Sequence, residues 1–175
     1  VNIKGERFIP NMPTEEVYTL PKKDGVNGIV YSTKPLAYNG NVIDNFWLKF
    51  EKGKVVDFYA EKGEQALRSI FEQDENARYL GEVALVPHDS PISNSNTLFF
   101  NTLYDENASC HLAFGKAYPT TIKNGPDMTE EELEKAGVND SFIHEDFMIG
   151  CEDLSIVGIT ENGEEIPVFI EGNWA

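Results

Sequence analysis

Two imidazoles and three carboxylates, His111, His144, Glu16, Glu82 and Asp146, are the side chains whose types and setting point to chemistry. Each ends or interrupts a short apolar or Gly-bounded segment that reads as a strand or strand end. Pooled, they form the oxygen and nitrogen donor set that suits a pair of Zn²⁺, Co²⁺ or Mn²⁺ ions. The run His144-Glu145-Asp146 is the sharpest local pattern. On a strand, residues i and i+2 share a face, so His144 and Asp146 point together while Glu145 points away. Phe142, Ile143, Phe147, Met148 and Ile149 predict a largely buried strand, in which an imidazole and a carboxylate need partners. Those partners are either a cation or simply neighbouring groups. Glu82 interrupts the apolar run Leu80 to Val86 and meets either solvent at the strand mouth or a cation.

The segment Asp105 to His111 runs from an acidic turn into a strand, with His111 at the strand start and Glu106 nearby. The ordinary reading is a turn followed by a half-buried imidazole. Tyr118, next to Pro119, lies at the far end of that strand. Its phenol is either a hydrogen-bond donor for a developing oxyanion or an amphipathic surface aromatic. Glu15 and Glu16 follow Pro13, and Thr14 beside them is able to cap a helix turn. His88 reads as exposed in a Pro/Ser loop. HExxH, GxSxG, Walker and GxGxxG patterns are absent, so no nucleotide site is implied.

The elements that must position these residues are strands first. Gly28 to Thr33, Val42 to Phe50 and Lys54 to Tyr59 are rich in β-branched and aromatic residues, and Asn39-Gly40 and Lys52-Gly53 punctuate them as tight turns. Glu64 to Glu75 carries Ala66, Leu67, Ile70 and Phe71 at helical spacing. Leu80 to Val86 and His111 to Phe114 read as strands, Pro87 to Asn96 and Thr120 to Pro126 as loops, and Leu98 to Tyr104 as strand or helix. Met128 to Ala136 is a short helix with Thr129 as N-cap and Gly137 as its stop. Phe142 to Gly150 and Leu154 to Ile159 are strands, and Asn162-Gly163 turns a hairpin into Ile166 to Ile170. The expected class is α+β, a mixed and largely antiparallel sheet or barrel-like core with a few short helices, in one domain over 1–175.

A chain of 175 residues supports one sizeable core. Its formal charge of −16 argues against nucleic acid and anionic membranes, which need a basic footprint, and favours cationic ligands. No apolar run reaches the roughly 18–20 residues of a membrane span. No signal-peptide pattern is visible, and Val1 to Arg7 reads as mid-chain sequence. Cys110 and Cys151 suit structural thiols and a reducing cytoplasm.

The stretches PTEEVYTLP, LGEVALV, SPIS, LFFNTLYDENASCHLAFGKAY and HEDFMIG resemble the aminopeptidase T and aminopeptidase S (PepS) family of metallo-aminopeptidases. The resemblance runs from about Ile9 to the C-terminus. It implies removal of N-terminal residues from peptides with a free N-terminus, using two divalent metal ions. Zinc or cobalt is the expected metal, with magnesium or manganese as alternatives. Matched block by block, it puts metal ligands at Glu16, Glu82, His111, His144 and Asp146, with Glu15 the competitor of Glu16. Glu106 is implied as general base or additional ligand, and Tyr118 as the group that assists at the transition state. Family members also carry a substantial N-terminal domain and form homodimers around their active sites. This stretch then corresponds to the metal-bearing C-terminal part, for which metal binding without turnover, or another dinuclear hydrolysis, stands as the alternative.

Overall fold

The computed structural model describes residues 4–7 and 16–175. Thr14 and Glu15 lie outside the described residues. A short strand, β1 (Val17–Thr19), is followed by β2 (Gly28–Tyr31), β3 (Leu36–Tyr38), β4 (Asn41–Glu51) and β5 (Lys54–Lys62). The turns at both ends of β4 have two residues each with positive φ, 47° and 76° at Asn39-Gly40 and 48° and 81° at Lys52-Gly53. That geometry matches the twist of antiparallel strands, which is why Asn-Gly and Lys-Gly close hairpins here. β2 and β3 share one edge of β4, and β5 pairs with the other.

Helix α1 (Glu64–Phe71) lays Leu67, Ile70 and Phe71 on this sheet. It is shorter than the periodicity predicts, because Asp74 opens a separate 3₁₀ turn, Glu75–Arg78, by accepting a hydrogen bond from the Asn76 amide at 2.7 Å. An Asp side chain competing for backbone donors ends helices in this way. Strand β6 (Leu80–Leu85) follows, then the single turns α2 (Pro91–Asn94) and α3 (Thr102–Asp105), a 3₁₀ turn Glu106–Ala108, and β7 (His111–Gly115). Within Leu98 to Tyr104 the helical alternative holds only from Thr102. The Asp105 carboxylate accepts from the Phe99 and Asn101 amides, at 2.7 and 3.0 Å, and fixes the irregular residues before it. The predicted Thr120–Pro126 loop contains parts of two short 3₁₀ turns, Pro119–Thr121 and Gly125–Asp127. Helix α4 (Glu130–Ala136) has the expected Thr129 cap, completed as a capping box by Glu132, and stops at Gly137 with φ 83°.

β8 (His144–Met148), β9 (Ile156–Ile159), β10 (Glu165–Ile170) and β11 (Asn173–Trp174) complete the chain. The β9–β10 connection is a longer loop containing Gly163 in the left-handed region, not a two-residue turn at Asn162-Gly163. Glu171-Gly172 makes the two-residue turn into β11 that the sequence reading passes over. Phe142, expected among the buried flanks of His144, is 91% exposed. Its amide donates to Asp74 at 2.8 Å, and Ser141 Oγ does so at 2.7 Å, which pins this segment as loop until His144. His88 is half-buried, with its amide on the Gly172 carbonyl at 2.7 Å, rather than exposed.

The strands form three open antiparallel sheets: β1-β6-β7-β8, the β2–β5 meander and β9–β11. The fold is therefore α+β with antiparallel sheets, and among the described residues none of them closes into a barrel. The β1-β6-β7-β8 sheet has two unlike faces. Phe114 and Phe147 on its back stack at 4.5 Å between centroids and meet Phe71 at 5.0 Å and Phe46 at 5.6 Å. Together with Leu48, Phe50 and Leu67 they form the buried core. Strand alternation then sends His111, Ala113, His144 and Asp146 to the front.

Candidate metal centre

Glu82 reaches the front face through an irregularity. Leu80 pairs with Phe114 and Glu82 with Ala113, so one extra residue, Gly81, sits between them. Without that bulge Leu80 and Glu82 would share a face; with it, Leu80 enters the core and Glu82 turns toward the imidazoles. Gly81 is required there. A Cβ would lie 2.2 Å from the Lys116 carbonyl oxygen and 2.6 Å from that of Gly115.

The five predicted ligand residues converge. His111 Nε2 is 3.4 Å from Glu16 Oε2 and 3.6 Å from Glu82 Oε1. His144 Nε2 is 3.5 Å from Asp146 Oδ1 and 3.8 Å from Glu82 Oε2. Two donor groups result, Glu16–Glu82–His111 and Glu82–His144–Asp146, each with its donor atoms within 4.8 Å of one another and with Glu82 common to both. Both imidazoles are oriented from behind. His111 Nδ1 faces the Ser109 carbonyl at 3.1 Å and His144 Nδ1 faces that of Lys116 at 2.7 Å. A carbonyl only accepts, so each Nδ1 carries the proton and each Nε2 is presented to the centre.

Three of these atoms, His111 Nε2, Glu16 Oε2 and Asp146 Oδ1, are buried without a hydrogen-bond partner among the described residues. His111 is 0% exposed. Leaving polar atoms of this kind unsatisfied is costly, and cations held by the two donor groups would satisfy them. The donor chemistry fits such an ion.

Electrostatics follow from crowding acids around two imidazoles. Burial pushes the His111 imidazole down, but Glu16, Glu82 and Asp146 outweigh it and lift it to about 10. At His144 burial is again opposed, by Asp146, the Lys116 carbonyl and Glu82, which raise it to about 9. Burial and the Asp146 charge, with Glu16 adding to them and His111 opposing, push Glu106 up to about 8. The centre needs positive charge, whether protons or metal.

A cavity of about 530 Å³ opens over the centre. Tyr118 lines it with its ring against His144, centroids 4.7 Å apart, and burial plus the Asp146 and Glu82 charges raise its phenol above the usual value. Glu106, from the turn that follows α3, lines it beside Asp146. Glu145 borders the cavity from the same strand, while its charge acts on Tyr38 in the core behind the sheet, as expected of a residue that alternates away from His144 and Asp146. Burial first, then the Asp146 charge, hold its carboxyl above the ordinary range, with His144 opposing. Sequence reasoning misses Tyr18, Thr102 and Leu103, which complete the lining. Tyr18 carried a usable signal, since it stands two residues after Glu16 on β1 and so shares its face.

Comparison with known proteins agrees with this chemistry. The family model described as "Thermophilic metalloprotease (M29)" matches residues 1–174. "Aminopeptidase 2" of Geobacillus stearothermophilus is 62% identical over 171 residues, covering 98% of this chain and 41% of that protein. "Aminopeptidase PepS" of Streptococcus thermophilus is 51% identical over 174 residues, 99% of this chain and 42% of its own length. The solved structure titled "Wild-type AmpT from Thermus thermophilus" superposes with a TM-score of 0.91 at 45% identity, over 98% of this chain and 42% of that one. The chain thus spans about two fifths of the length of the relatives it matches. It belongs to the M29 family of thermophilic metalloproteases.

Proposed function

We propose that residues 1–175 form a single domain carrying the metal centre of an aminopeptidase, in which Glu16, Glu82, His111, His144 and Asp146 would hold two divalent ions, Glu82 belonging to both donor groups. The observation that carries this reading is the pair of donor groups sharing Glu82, whose two carboxylate oxygens face different imidazoles. Zinc or cobalt suits the mixed imidazole and carboxylate set, and manganese or magnesium the carboxylates alone. When bound, the ions supply Lewis acidity toward the scissile carbonyl and an activated water.

The chain's own residues supply the rest. The acidic cavity draws in the free α-ammonium of a peptide. Glu106 takes the proton of the attacking water and returns it to the leaving amine. Its carboxyl, pushed up to about 8 by burial and the Asp146 charge, would act as a base at neutral pH once neighbouring cations offset those acids. The Tyr118 phenol, kept protonated by burial and then by its acidic surroundings, donates to the tetrahedral oxyanion.

The full-length enzyme is proposed to be a cytoplasmic homodimer, which sedimentation and fractionation test. The functional test is metal titration of the full-length protein followed by a panel of aminoacyl, internal amide and phosphoester substrates. Two ions per chain and release of N-terminal residues support the reading. Turnover of phosphoesters alone, or binding without turnover, contradicts it.

A further inference from the structure

A peptide entering this cavity brings carbonyl oxygens that need donors, and the lining is dominated by carboxylates, which when ionised only accept. Both imidazoles direct Nδ1 to backbone carbonyls. Among the described residues that line the cavity, the hydroxyl donors are those of Tyr18, Tyr118 and Thr102. Tyr118 is taken by the oxyanion in the mechanism above. A second carbonyl, that of the leaving residue, lies one residue farther along an extended substrate, about 3.3–3.6 Å. It has no donor yet.

Tyr18 is placed for it. β1 pairs with β6 so that Tyr18 stands opposite Ala84, and Ala84 opposite His111, in one row on the front face. The side chain is 37% exposed and lines the cavity, so it is open to a ligand rather than sealed in the core. It lies within electrostatic reach of Glu82, Glu16 and Tyr118. Thr102 enters the cavity from α3, four residues before Glu106, and not from the sheet row that carries His111. A phenol keeps its proton at neutral pH and is therefore a dependable donor.

We propose that Tyr18 is a substrate-binding residue whose hydroxyl donates to the carbonyl of the residue following the scissile bond, forming the first subsite on the leaving side. This deepens the aminopeptidase reading and rests on it. It makes the site selective for true peptides over aminoacyl arylamides, which have no carbonyl at that position.

The test uses the full-length, metal-loaded enzyme and two substrates with the same N-terminal residue, leucyl-glycinamide and leucyl-p-nitroanilide. For Tyr18→Phe, the ratio of kcat/KM for the peptide to that for the anilide falls about tenfold relative to wild type, the effect of one lost hydrogen bond of about 1.4 kcal/mol. The comparison between enzymes cancels the different leaving-group chemistry. An unchanged visible spectrum with cobalt verifies that the ligands are intact, and Tyr18→Leu carries the same ratio test if the phenylalanine variant does not fold. A ratio within about twofold of wild type overturns the assignment of Tyr18 while leaving the aminopeptidase reading in place. A wild-type enzyme that releases leucine from neither substrate overturns that reading and this one with it.

Discussion

Glu82 is the residue on which the centre turns, because its two oxygens face different donor groups. Glu82→Gln keeps the shape and removes the bridging charge. It should weaken metal binding by more than the roughly 10–100-fold typical of an outer-shell change and nearly abolish turnover, with calorimetry and single-turnover assays as the checks. Tyr118→Phe should lower kcat about 10²–10³-fold with little change in KM, as loss of one oxyanion donor does. Comparable loss in KM alone would place Tyr118 in ground-state binding instead. The imidazoles give a pH prediction. Folded His111 and His144 hold protons up to about 10 and about 9, against 6.5 for an ordinary histidine. In chelated protein their stabilising effect is thus complete below about pH 6.5 and disappears as pH rises through 9 and 10. The melting temperature of the metal-free protein should fall over that window, and metal binding near neutral pH should release protons. A chelated protein equally stable at pH 7 and pH 10 contradicts the arrangement.

At the scale of elements, the bulge at Gly81 separates the core from the site. Gly81→Ala places a Cβ 2.2 Å from the Lys116 carbonyl, the same carbonyl that orients His144. The expected outcome is a loss of about 10–100-fold in metal affinity on the His144 side, visible as a second, weaker phase in a titration. Little of this was legible in the sequence. A glycine in an apolar run marks a close approach or a bulge without saying which residue it redirects. The partnership of His144 and Asp146 was legible, because alternation on a single strand is a local rule. So was α4, whose Thr129, Glu132 and Gly137 act within one helix. Glu16 was not, since its place depends on Val17 pairing with Leu85, on a strand far along the sequence. Phe142 misled because Asp74, far away in sequence, captures its amide. The hydrophobic pattern holds no record of such a contact.

For the whole molecule, the core and the centre are two faces of one sheet, so stability and metal binding are coupled. Phe147 lies between Phe114 and Phe46 directly behind the ligands. Phe147→Ala should cost about 3–5 kcal/mol by denaturant unfolding. Because any ion that binds only the folded state adds stability, saturating metal should recover part of that loss. The formal charge of −16 favours cations over anions at this surface. Family membership and the fold are shared with the longer aminopeptidases, of which this chain matches about two fifths.

The central claim, two ions held by five named side chains, is tested most directly by anomalous scattering from crystals of the full-length protein at the zinc and cobalt edges. Two peaks about 3.5–4 Å apart are expected, one beside Glu16 and His111, the other beside His144 and Asp146, with Glu82 next to both. A single peak, or density away from these five side chains, would contradict it.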